Sequence, residues 1–268
     1  MKHKIRRFLK TLKKELHYLK SKQTTVLFDH LPKCGGTTIN LYLTNHYPKR
    51  YVFRLLGTNP KKSVEEFRNL PKKKRWSTKL IYGHAAHDLQ GLTHPDTFAI
   101  TVFREPIDRI ISHYYYVKQT KNHYLHDKII NENILLEDYC SSNLSVELSN
   151  WYVTHFTGLS LLEVENNPNE SIEIALKNIL EMYDVIGFQE DIPFFVNQLK
   201  DRLSLKVPQN LEKKNKTKNR LQIEELNQET IDKISQSNSL DIKLYSKLVA
   251  LKKNGIIEGK SVNKYNSF

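Results

Sequence analysis

The sequence predicts an α/β protein in which helices cover both faces of a central, mainly parallel sheet. Residues 26–28 form a short apolar run that leads through a glycine-rich turn into helical spacing of apolar residues at 39–47. Residues 97–103 form a continuous apolar run, as expected of a strand buried on both faces of a parallel sheet. Together these patterns predict a P-loop-like three-layer α/β/α sandwich. Helices at the C-terminus are expected to complete the fold.

Length and composition predict one large domain with an ample core. The chain has 268 residues, of which 39% are hydrophobic, and a mean hydropathy of −0.56. No apolar run approaches the roughly 18 residues of a membrane span, and no signal-peptide region follows the basic start. Cys34 and Cys140 are too few for a disulfide framework or a zinc site. We therefore expect a cytoplasmic protein without a metal, with its domain at 24–253 and a tail at 254–268.

Residues 1–23 are predicted to form a basic amphipathic helix ahead of the domain. Residues 1–22 carry nine Lys/Arg against Glu15 and so supply much of the net charge of +13. Their apolar residues recur at helical spacing: Ile5, Leu9, Leu12, Leu16 and Leu19. Such a helix either contacts an anionic membrane surface or packs on the domain with its lysines in water. Nucleic-acid binding is not expected, because no nucleic-acid module accompanies the charge.

The turn after the first strand has the composition of an anion-binding cradle. Its residues are Lys33, Cys34, Gly35, Gly36, Thr37 and Thr38. A helix N-terminus offers free backbone N–H groups to an anion, and adjacent glycines let the backbone approach closely. A Walker A loop places its lysine after the glycines, whereas Lys33 precedes them, so an ordinary ATPase or GTPase is not indicated. The alternative interpretation is a plain strand–turn–helix connection with a structural glycine pair.

The segment after the cradle is predicted to contain a strand, a helix and a loop. Residues 51–56 have the pattern of a strand. Ser63 and Glu66 have capping-box spacing, which predicts a short helix that ends at Leu70. The lysine run at 71–75 is predicted to be a solvated loop.

The next predicted strand ends in a glycine and a histidine, at Gly83 and His84. Ligands of open α/β sheets bind beyond the carboxyl ends of the strands, so His84 is expected to face the same crevice as the cradle. Imidazole accepts a proton near neutral pH, which makes His84 the candidate general base. His87 is the alternative base and Asp88 an alternative orienting group, while a purely structural histidine is the other interpretation.

The buried run at 97–103 leads directly into a second polar group. Arg104 follows the strand, and Ser112 lies about two turns into the predicted helix. An arginine fork and a hydroxyl that converge there would hold a second phosphate. The alternative is a structural ion pair of Arg104 or Arg109 with Asp108.

The rest of the chain is predicted to be mostly helical. Residues 118–148 are polar and poorly periodic, so their histidines and lysines either rim an acceptor cleft or belong to a solvated excursion. Apolar spacing predicts helices at 172–180 and 193–199. Residues 206–220 are basic and poor in apolar residues, which predicts a flexible loop.

Two stretches resemble the cofactor loops of a known family: LPKCGGTTI at 31–39 and TVFREPIDRIISHYYY at 101–116. They are similar to loops of sulfotransferases that use 3′-phosphoadenosine-5′-phosphosulfate (PAPS), above all the carbohydrate O-sulfotransferases of family 2, which include the heparan sulfate 2-O- and 6-O-enzymes. YGHAAHD at 82–88 resembles the family segment that supplies the catalytic base. Four further stretches extend the resemblance to about 24–250: 149–158, with Phe156 in place of the usual leucine, 183–192, 211–220 and 240–248.

This resemblance implies an in-line transfer of a sulfuryl group from PAPS to a hydroxyl of a carbohydrate or glycan acceptor, with His84 as base. Residues 33–38 would hold the 5′-phosphosulfate, and Lys33 would stabilise charge on the departing oxygen. Arg104 and Ser112 would hold the 3′-phosphate. The lysine-rich loop would close over the nucleotide through Lys214, Lys216, Thr217 and Lys218.

Two other functions are open at this point. A nucleotide-dependent kinase would share the cradle, but it would need Mg²⁺ ligands and a lysine after the glycines. A non-catalytic module on a sulfotransferase fold would bind an anionic glycan or a membrane surface through the basic ends of the chain. Retention of Lys33, His84, Arg104 and Ser112 together argues against such a module.

Overall fold

The computed structural model describes residues 24–57, 59–140, 144–206, 220–255 and 257. The predicted helix at 1–23 and most of the predicted tail at 254–268 lie outside the described residues. So do Lys214, Lys216, Thr217 and Lys218, which were predicted to close over a nucleotide. No helix within the described ranges is long and apolar enough to cross a bilayer.

The described residues form five strands and twelve α-helices. The strands are β1 (Val26–Asp29), β2 (Val52–Arg54), β3 (Leu80–Gly83), β4 (Phe98–Phe103) and β5 (Val185–Phe188). The helices are α1 (Gly36–Thr44), α2 (Pro60–Arg68), α3 (Lys72–Ser77), α4 (Pro106–Gln119), α5 (His126–Asn131), α6 (Leu136–Tyr139), α7 (Trp151–Thr157), α8 (Leu161–Asn166), α9 (Pro168–Met182), α10 (Ile192–Leu203), α11 (Gln228–Ser237) and α12 (Ser239–Lys253). Short 3₁₀ turns lie at Lys49–Tyr51, Ala86–Leu89, Val146–Leu148, Gln189–Asp191 and Ile223–Glu225.

The strands form one all-parallel sheet in the order β2-β3-β1-β4-β5. The central strand β1 pairs Val26 with Leu80 of β3 on one side and with Phe98 of β4 on the other. All four β1 residues and all six β4 residues are buried, which accounts for their mostly apolar character; Asp29 and Thr101 are the buried polar residues of these strands. The predicted α/β class with a central parallel sheet flanked by helices is confirmed.

The described chain divides into two compact units. Unit 1 contains the described residues up to 102 and those from 183 to 206, and unit 2 contains residues 103–182 and those from 220 onward. The core of unit 1 joins the sheet to α1 and α10, with Phe28, Ile100 and Phe195 among its buried residues. Gly187 on β5 allows a close approach of helix to sheet, since a Cβ there would lie 2.5 Å from Cδ2 of Phe195.

Unit 2 has its own core around α4 and a buried ion pair. The Arg109 guanidinium lies 3.8 Å from a carboxylate oxygen of Asp241, and both side chains are fully buried. Asp241 also accepts hydrogen bonds from the backbone N–H groups of Tyr152 and Val153, at 2.9 and 3.0 Å. A residue of α12 therefore caps the N-terminus of α7, which fixes these two helices to each other.

Two local predictions are wrong, and one of the two alternatives for residues 118–148 is excluded. Helix α2 begins at Pro60 with Asn59 as its cap, because the Asn59 side chain accepts the backbone N–H of Lys62, whereas Ser63 lies inside the helix. The lysine run predicted as a loop forms α3. The segment at 118–148 is not a solvated excursion, because it contributes buried residues to the unit 2 core: Leu125, Ile129, Leu136, Tyr139 and Leu148.

Candidate active site

The predicted cradle is a tight turn between β1 and α1. Lys33 and Gly35 adopt positive φ angles of 65° and 81°, and Gly35 occupies the N-cap position of α1. Cys34 is buried, and its backbone N–H donates to the Leu31 carbonyl at 3.3 Å. Gly35 has no side chain to cap the helix, and the first turn of α1 has no acidic residue. The start of α1 therefore has the dipole and the backbone donors of an anion site without an anionic side chain of its own.

Packing explains why both cradle positions are glycine. A Cβ on Gly36 would lie 1.9 Å from Cδ2 of His30, so the His30 ring occupies the space that a side chain would need. A Cβ on Gly35 would lie 2.9 Å from Cδ1 of Ile192, in addition to the positive φ angle that favours glycine. The glycine pair thus has a packing role at Gly36 and a conformational role at Gly35.

His30 connects the cradle to the candidate base. Its ring stacks on the His84 ring with the centroids 4.7 Å apart and an angle of 27° between the planes. The Asn40 amide lies 3.2 Å from Nδ1 of His30. Burial, and then the charge of a neighbouring His84, lower the pKa of His30 to about 3. His30 is therefore a neutral imidazole at physiological pH.

His84 is held in a tautomer that suits a base. Its Nδ1 lies 2.6 Å from the carbonyl oxygen of His30, and only a protonated Nδ1 can donate to that oxygen. In the neutral ring Nε2 then has the lone pair that accepts a proton. The residue directly follows β3, and Gly57 packs against it, since a Cβ there would lie 3.1 Å from Cδ2 of His84.

His87, the alternative base, has the opposite electrostatics. Its Nδ1 lies 3.6 Å from the buried Asp29 carboxylate and its Nε2 lies 3.0 Å from Asp88. Burial alone would lower the pKa of His87, but the hydrogen bonds and charges of these two carboxylates outweigh it and raise the pKa to about 10. The imidazolium form dominates near neutral pH, so this ring is a poor proton acceptor. Asp88 orients His87.

The arginine predicted to bind a second phosphate lies in unit 2. The Nε and a terminal nitrogen of Arg104 contact one oxygen of Asp108, at 2.7 and 2.6 Å. The Tyr152 hydroxyl donates to the Arg104 carbonyl at 2.9 Å and lies 3.2 Å from its backbone nitrogen, which fixes the turn before α4. The structural Arg104–Asp108 pair that was the alternative interpretation is present. Arg109 pairs with Asp241 instead.

A second arginine, Arg220, also contacts Asp108. It forms an ion pair with the other carboxylate oxygen of Asp108. Burial and the positive charge of Arg104 lower the pKa of Arg220 to about 10, so its side chain is still cationic at neutral pH. Two guanidinium groups therefore share one carboxylate, and the arginine cluster (Arg104, Asp108 and Arg220) has an excess positive charge that suits an anion. Ser112 is buried on α4.

Sequence reasoning missed His30 and Arg220. His30 directly follows the carboxyl end of β1, so the rule that singled out His84 at the end of β3 would also have singled out His30. Arg220 is the last residue of the basic stretch at 211–220, whose composition is dominated by lysines. The signal for Arg220 is weak, because its partner Asp108 lies more than a hundred residues earlier in the chain.

Comparison with known proteins identifies the class. Residues 16–247 match the family model described as "Sulfotransferase family", and the chain belongs to that family. It is similar to heparan sulfate 2-O-sulfotransferase hst-2 of Caenorhabditis elegans, with 24% identity over 178 residues, which cover 60% of this chain and 55% of that protein. The chain thus spans about half the length of this curated relative. The family resemblance found in the motifs is confirmed.

Proposed function

We propose that this protein is a PAPS-dependent carbohydrate O-sulfotransferase with His84 as its general base. Family membership and the similarity to a heparan sulfate 2-O-sulfotransferase support sulfuryl transfer to a carbohydrate. The observation that carries the choice of base is the 2.6 Å contact between Nδ1 of His84 and the His30 carbonyl, which leaves Nε2 able to accept a proton. The cationic His87 is unsuited to that role.

The residues around the cradle fit a sulfated nucleotide. The uncapped start of α1 suits a phosphate group, which residues 33–38 would hold through backbone N–H groups, the Lys33 ammonium and the hydroxyls of Thr37 and Thr38. Family resemblance assigns the 3′-phosphate to Arg104 and Ser112, and the excess charge of the arginine cluster supports this assignment. The lysine-rich loop keeps its predicted role as a further nucleotide contact.

The chain's own residues would perform three tasks. Nε2 of His84 takes the proton of the acceptor hydroxyl as its oxygen forms a bond to sulfur. Lys33 and the backbone donors at the start of α1 stabilise negative charge on the phosphate oxygen whose bond to sulfur breaks. His30 positions the His84 ring through its carbonyl and its stacked imidazole. PAPS supplies the sulfuryl group, and adenosine 3′,5′-bisphosphate is the other product.

Thermal unfolding with two nucleotides tests the proposed function. Adenosine 3′,5′-bisphosphate at about 100 times its Kd is expected to stabilise the protein by about 2.7 kcal/mol. ATP with Mg²⁺ is expected to give no comparable stabilisation. Stabilisation by ATP–Mg²⁺ alone would indicate a kinase, and stabilisation by neither nucleotide would favour a non-catalytic binding module.

Transfer of radiolabel from PAPS to a panel of carbohydrate acceptors then tests the reaction. We expect incorporation into at least one hydroxyl-bearing glycan and none into the same glycan with its hydroxyls blocked. We place the reaction in the cytoplasm, and contact of residues 1–22 with an anionic membrane stays a prediction that vesicle flotation can test.

A further inference from the structure

A concave surface lies at the edge of the unit 1 sheet away from the cradle. It forms a shallow pocket of about 600 Å³ that is largely open to solvent, and its lining includes Tyr51, Lys72, Lys73, Trp76, Lys79 and His94, which we call the lysine–tryptophan pocket. Tyr51 directly precedes β2 and Lys79 directly precedes β3, so the pocket lies at the amino ends of these strands. Its size is in the range of small-ligand sites.

The pocket is separate from the candidate catalytic residues of unit 1. Strand β3 runs from the pocket at Lys79 to the base at His84, five residues later. Extended chain rises about 3.3 Å per residue, so these two residues are about 16 Å apart. A ligand in the pocket therefore does not occupy the cradle.

Aromatic rings hold cations around the pocket. The Lys72 ammonium lies 4.2 Å from the centre of the Trp76 ring, and the Arg50 guanidinium lies 4.8 Å from the centre of the Tyr51 ring. Such contacts restrict long flexible side chains before a ligand arrives, which lowers the entropic cost of binding. Within the described residues, no carboxylate lies within ion-pair distance of Lys72, Lys73 or Lys79.

One acidic group lies near the pocket, but the net charge of the pocket remains positive. Asp96 is 3.8 Å from Nδ1 of His94, and its side chain is largely exposed to water. Three lysines line the same surface, so the local charge is positive. The ligand class that fits is anionic.

Limited exposure and ring contacts favour an acidic sugar over two other anionic ligands, a membrane surface and a nucleic acid. A membrane surface is expected to meet protruding apolar side chains, but Trp76 and Tyr51 are only partly exposed and each ring contacts a cation. Single-stranded nucleic acid stacks its bases on open aromatic faces, whereas a cation already covers a face of each ring here. Sulfate and carboxylate groups on a sugar chain match the Lys72 ammonium held over Trp76 and the lysines beside it, without base stacking.

We propose that the lysine–tryptophan pocket binds an acidic oligosaccharide, through its sulfate or carboxylate groups, outside the catalytic site. This rests on the proposed function in one respect: an acidic glycan acceptor has repeated charged groups, so a second stretch of the acceptor would be held here. Binding in the pocket itself requires neither the nucleotide nor turnover.

The two tryptophans of the chain allow the site to be located directly. Trp76 lines the pocket and Trp151 is buried in unit 2. Titration of the full chain with a heparin-derived hexasaccharide, in excess adenosine 3′,5′-bisphosphate, is expected to give a saturable change in tryptophan fluorescence. Trp76→Phe is expected to abolish that change, while calorimetry still detects binding. A fluorescence change that persists in Trp76→Phe would overturn the proposal.

Matched charge reversals distinguish a specific binding site from nonspecific electrostatic attraction of the hexasaccharide to a basic protein. Lys72→Glu/Lys73→Glu alters exposed first-turn lysines of α3, and Lys61→Glu/Lys62→Glu makes the same charge change in the first turn of α2. We expect the first pair to raise the hexasaccharide Kd at least about tenfold, and the second pair less than about threefold. Thermal unfolding of each variant establishes that it is folded, and Lys73→Ala serves as a milder second variant.

Four results would contradict the proposal: equal weakening by the two pairs, no saturable binding, tighter binding of a single-stranded DNA of matched charge, or tighter binding of phosphatidylserine vesicles. Maltohexaose, a neutral sugar, is expected not to bind. Nucleotide stabilisation is measured separately in the same variants. Loss of the proposed function would therefore appear as a missing nucleotide response, independent of the hexasaccharide result.

Discussion

The cradle of unit 1 and the arginine cluster of unit 2 are both suited to an anion, but they are built differently. In the cradle the positive potential comes from a helix start and one lysine, and stacked histidine rings and glycines fix the geometry. In the arginine cluster two guanidinium groups are fixed by a carboxylate that occupies part of their hydrogen-bonding capacity. The cradle depends on packing, whereas the cluster depends on charge balance.

This difference predicts different responses to substitution. A change of side-chain shape should abolish anion binding at the cradle. A change of charge should alter the strength of anion binding at the arginine cluster without abolishing it. The same contrast exists on a smaller scale within unit 1, where His84 is positioned by a carbonyl and His87 by two carboxylates.

Replacement of the candidate base is expected to have the largest effect. His84→Ala should lower turnover by roughly 10²–10⁴-fold, the range of general-base catalysis, because Nε2 no longer accepts the hydroxyl proton. Stabilisation by adenosine 3′,5′-bisphosphate should be little changed. The measurement is single-turnover transfer of radiolabel from PAPS. Turnover close to that of the unaltered protein would remove His84 from the role of base.

The His87 ion cluster is expected to make stability depend on pH. The folded pKa of His87, about 10, lies above its usual value of 6.5, so its stabilisation is complete below about pH 6.5 and is lost as the pH rises through 10. At 1.36 kcal/mol per unit, the loss is about 3–5 kcal/mol. Urea unfolding from pH 6 to 10 should show this decline, and His87→Gln should flatten it while lowering stability at pH 6. Equal slopes for the two proteins would contradict the assignment.

A shape change in the cradle is expected to cost less in stability but to abolish binding. Gly36→Ala places a methyl group where the His30 ring lies, which should lower the free energy of unfolding by about 1–3 kcal/mol and remove the nucleotide response. Gly91→Ala is the control, because its Cβ meets nothing within 4 Å and only the positive φ is strained. Nucleotide stabilisation that survives in Gly36→Ala would show that the cradle tolerates repacking.

Removal of the carboxylate from the arginine cluster is expected to have the smallest effect. Asp108→Asn leaves Arg104 and Arg220 without their shared partner, which should destabilise the free protein by about 1–2 kcal/mol, since the cluster is only partly buried. Because the excess positive charge increases, stabilisation by adenosine 3′,5′-bisphosphate should become larger. A smaller nucleotide response would mean that Asp108 orients the arginines for the ligand and does not compete with it.

The sequence was informative where the strands are apolar and the site residues follow them directly in the chain. The apolar runs identified the strands now seen as β1, β3 and β4 because strands buried in a parallel sheet are mostly apolar. The glycine pair and His84 follow directly after strands, so their placement at strand ends needed no long-range information. The motifs then indicated the family that the comparison confirms.

The sequence was less informative where the structure depends on contacts between residues that are far apart in the chain. No role was predicted for Asp29, which follows the apolar run at 26–28, but its carboxylate lies 3.6 Å from Nδ1 of His87 and accepts a hydrogen bond from the Tyr183 hydroxyl at 2.6 Å. Helix α3 was not predicted, because a run of lysines is typical of a solvated loop. The Arg75 side chain donates to three backbone carbonyls, and Trp76 contacts the Lys72 ammonium, and these contacts stabilise the helix. Such pairings join parts of the chain that no local pattern connects.

A crystal structure with adenosine 3′,5′-bisphosphate would show directly whether the cradle and His84 form one site. We expect a 5′-phosphate at the start of α1, within hydrogen-bond distance of backbone N–H groups of residues 35–37 and with Nε2 of His84 facing the space beside it. A nucleotide bound elsewhere, or a His84 ring whose Nε2 is turned away from that phosphate, would contradict it.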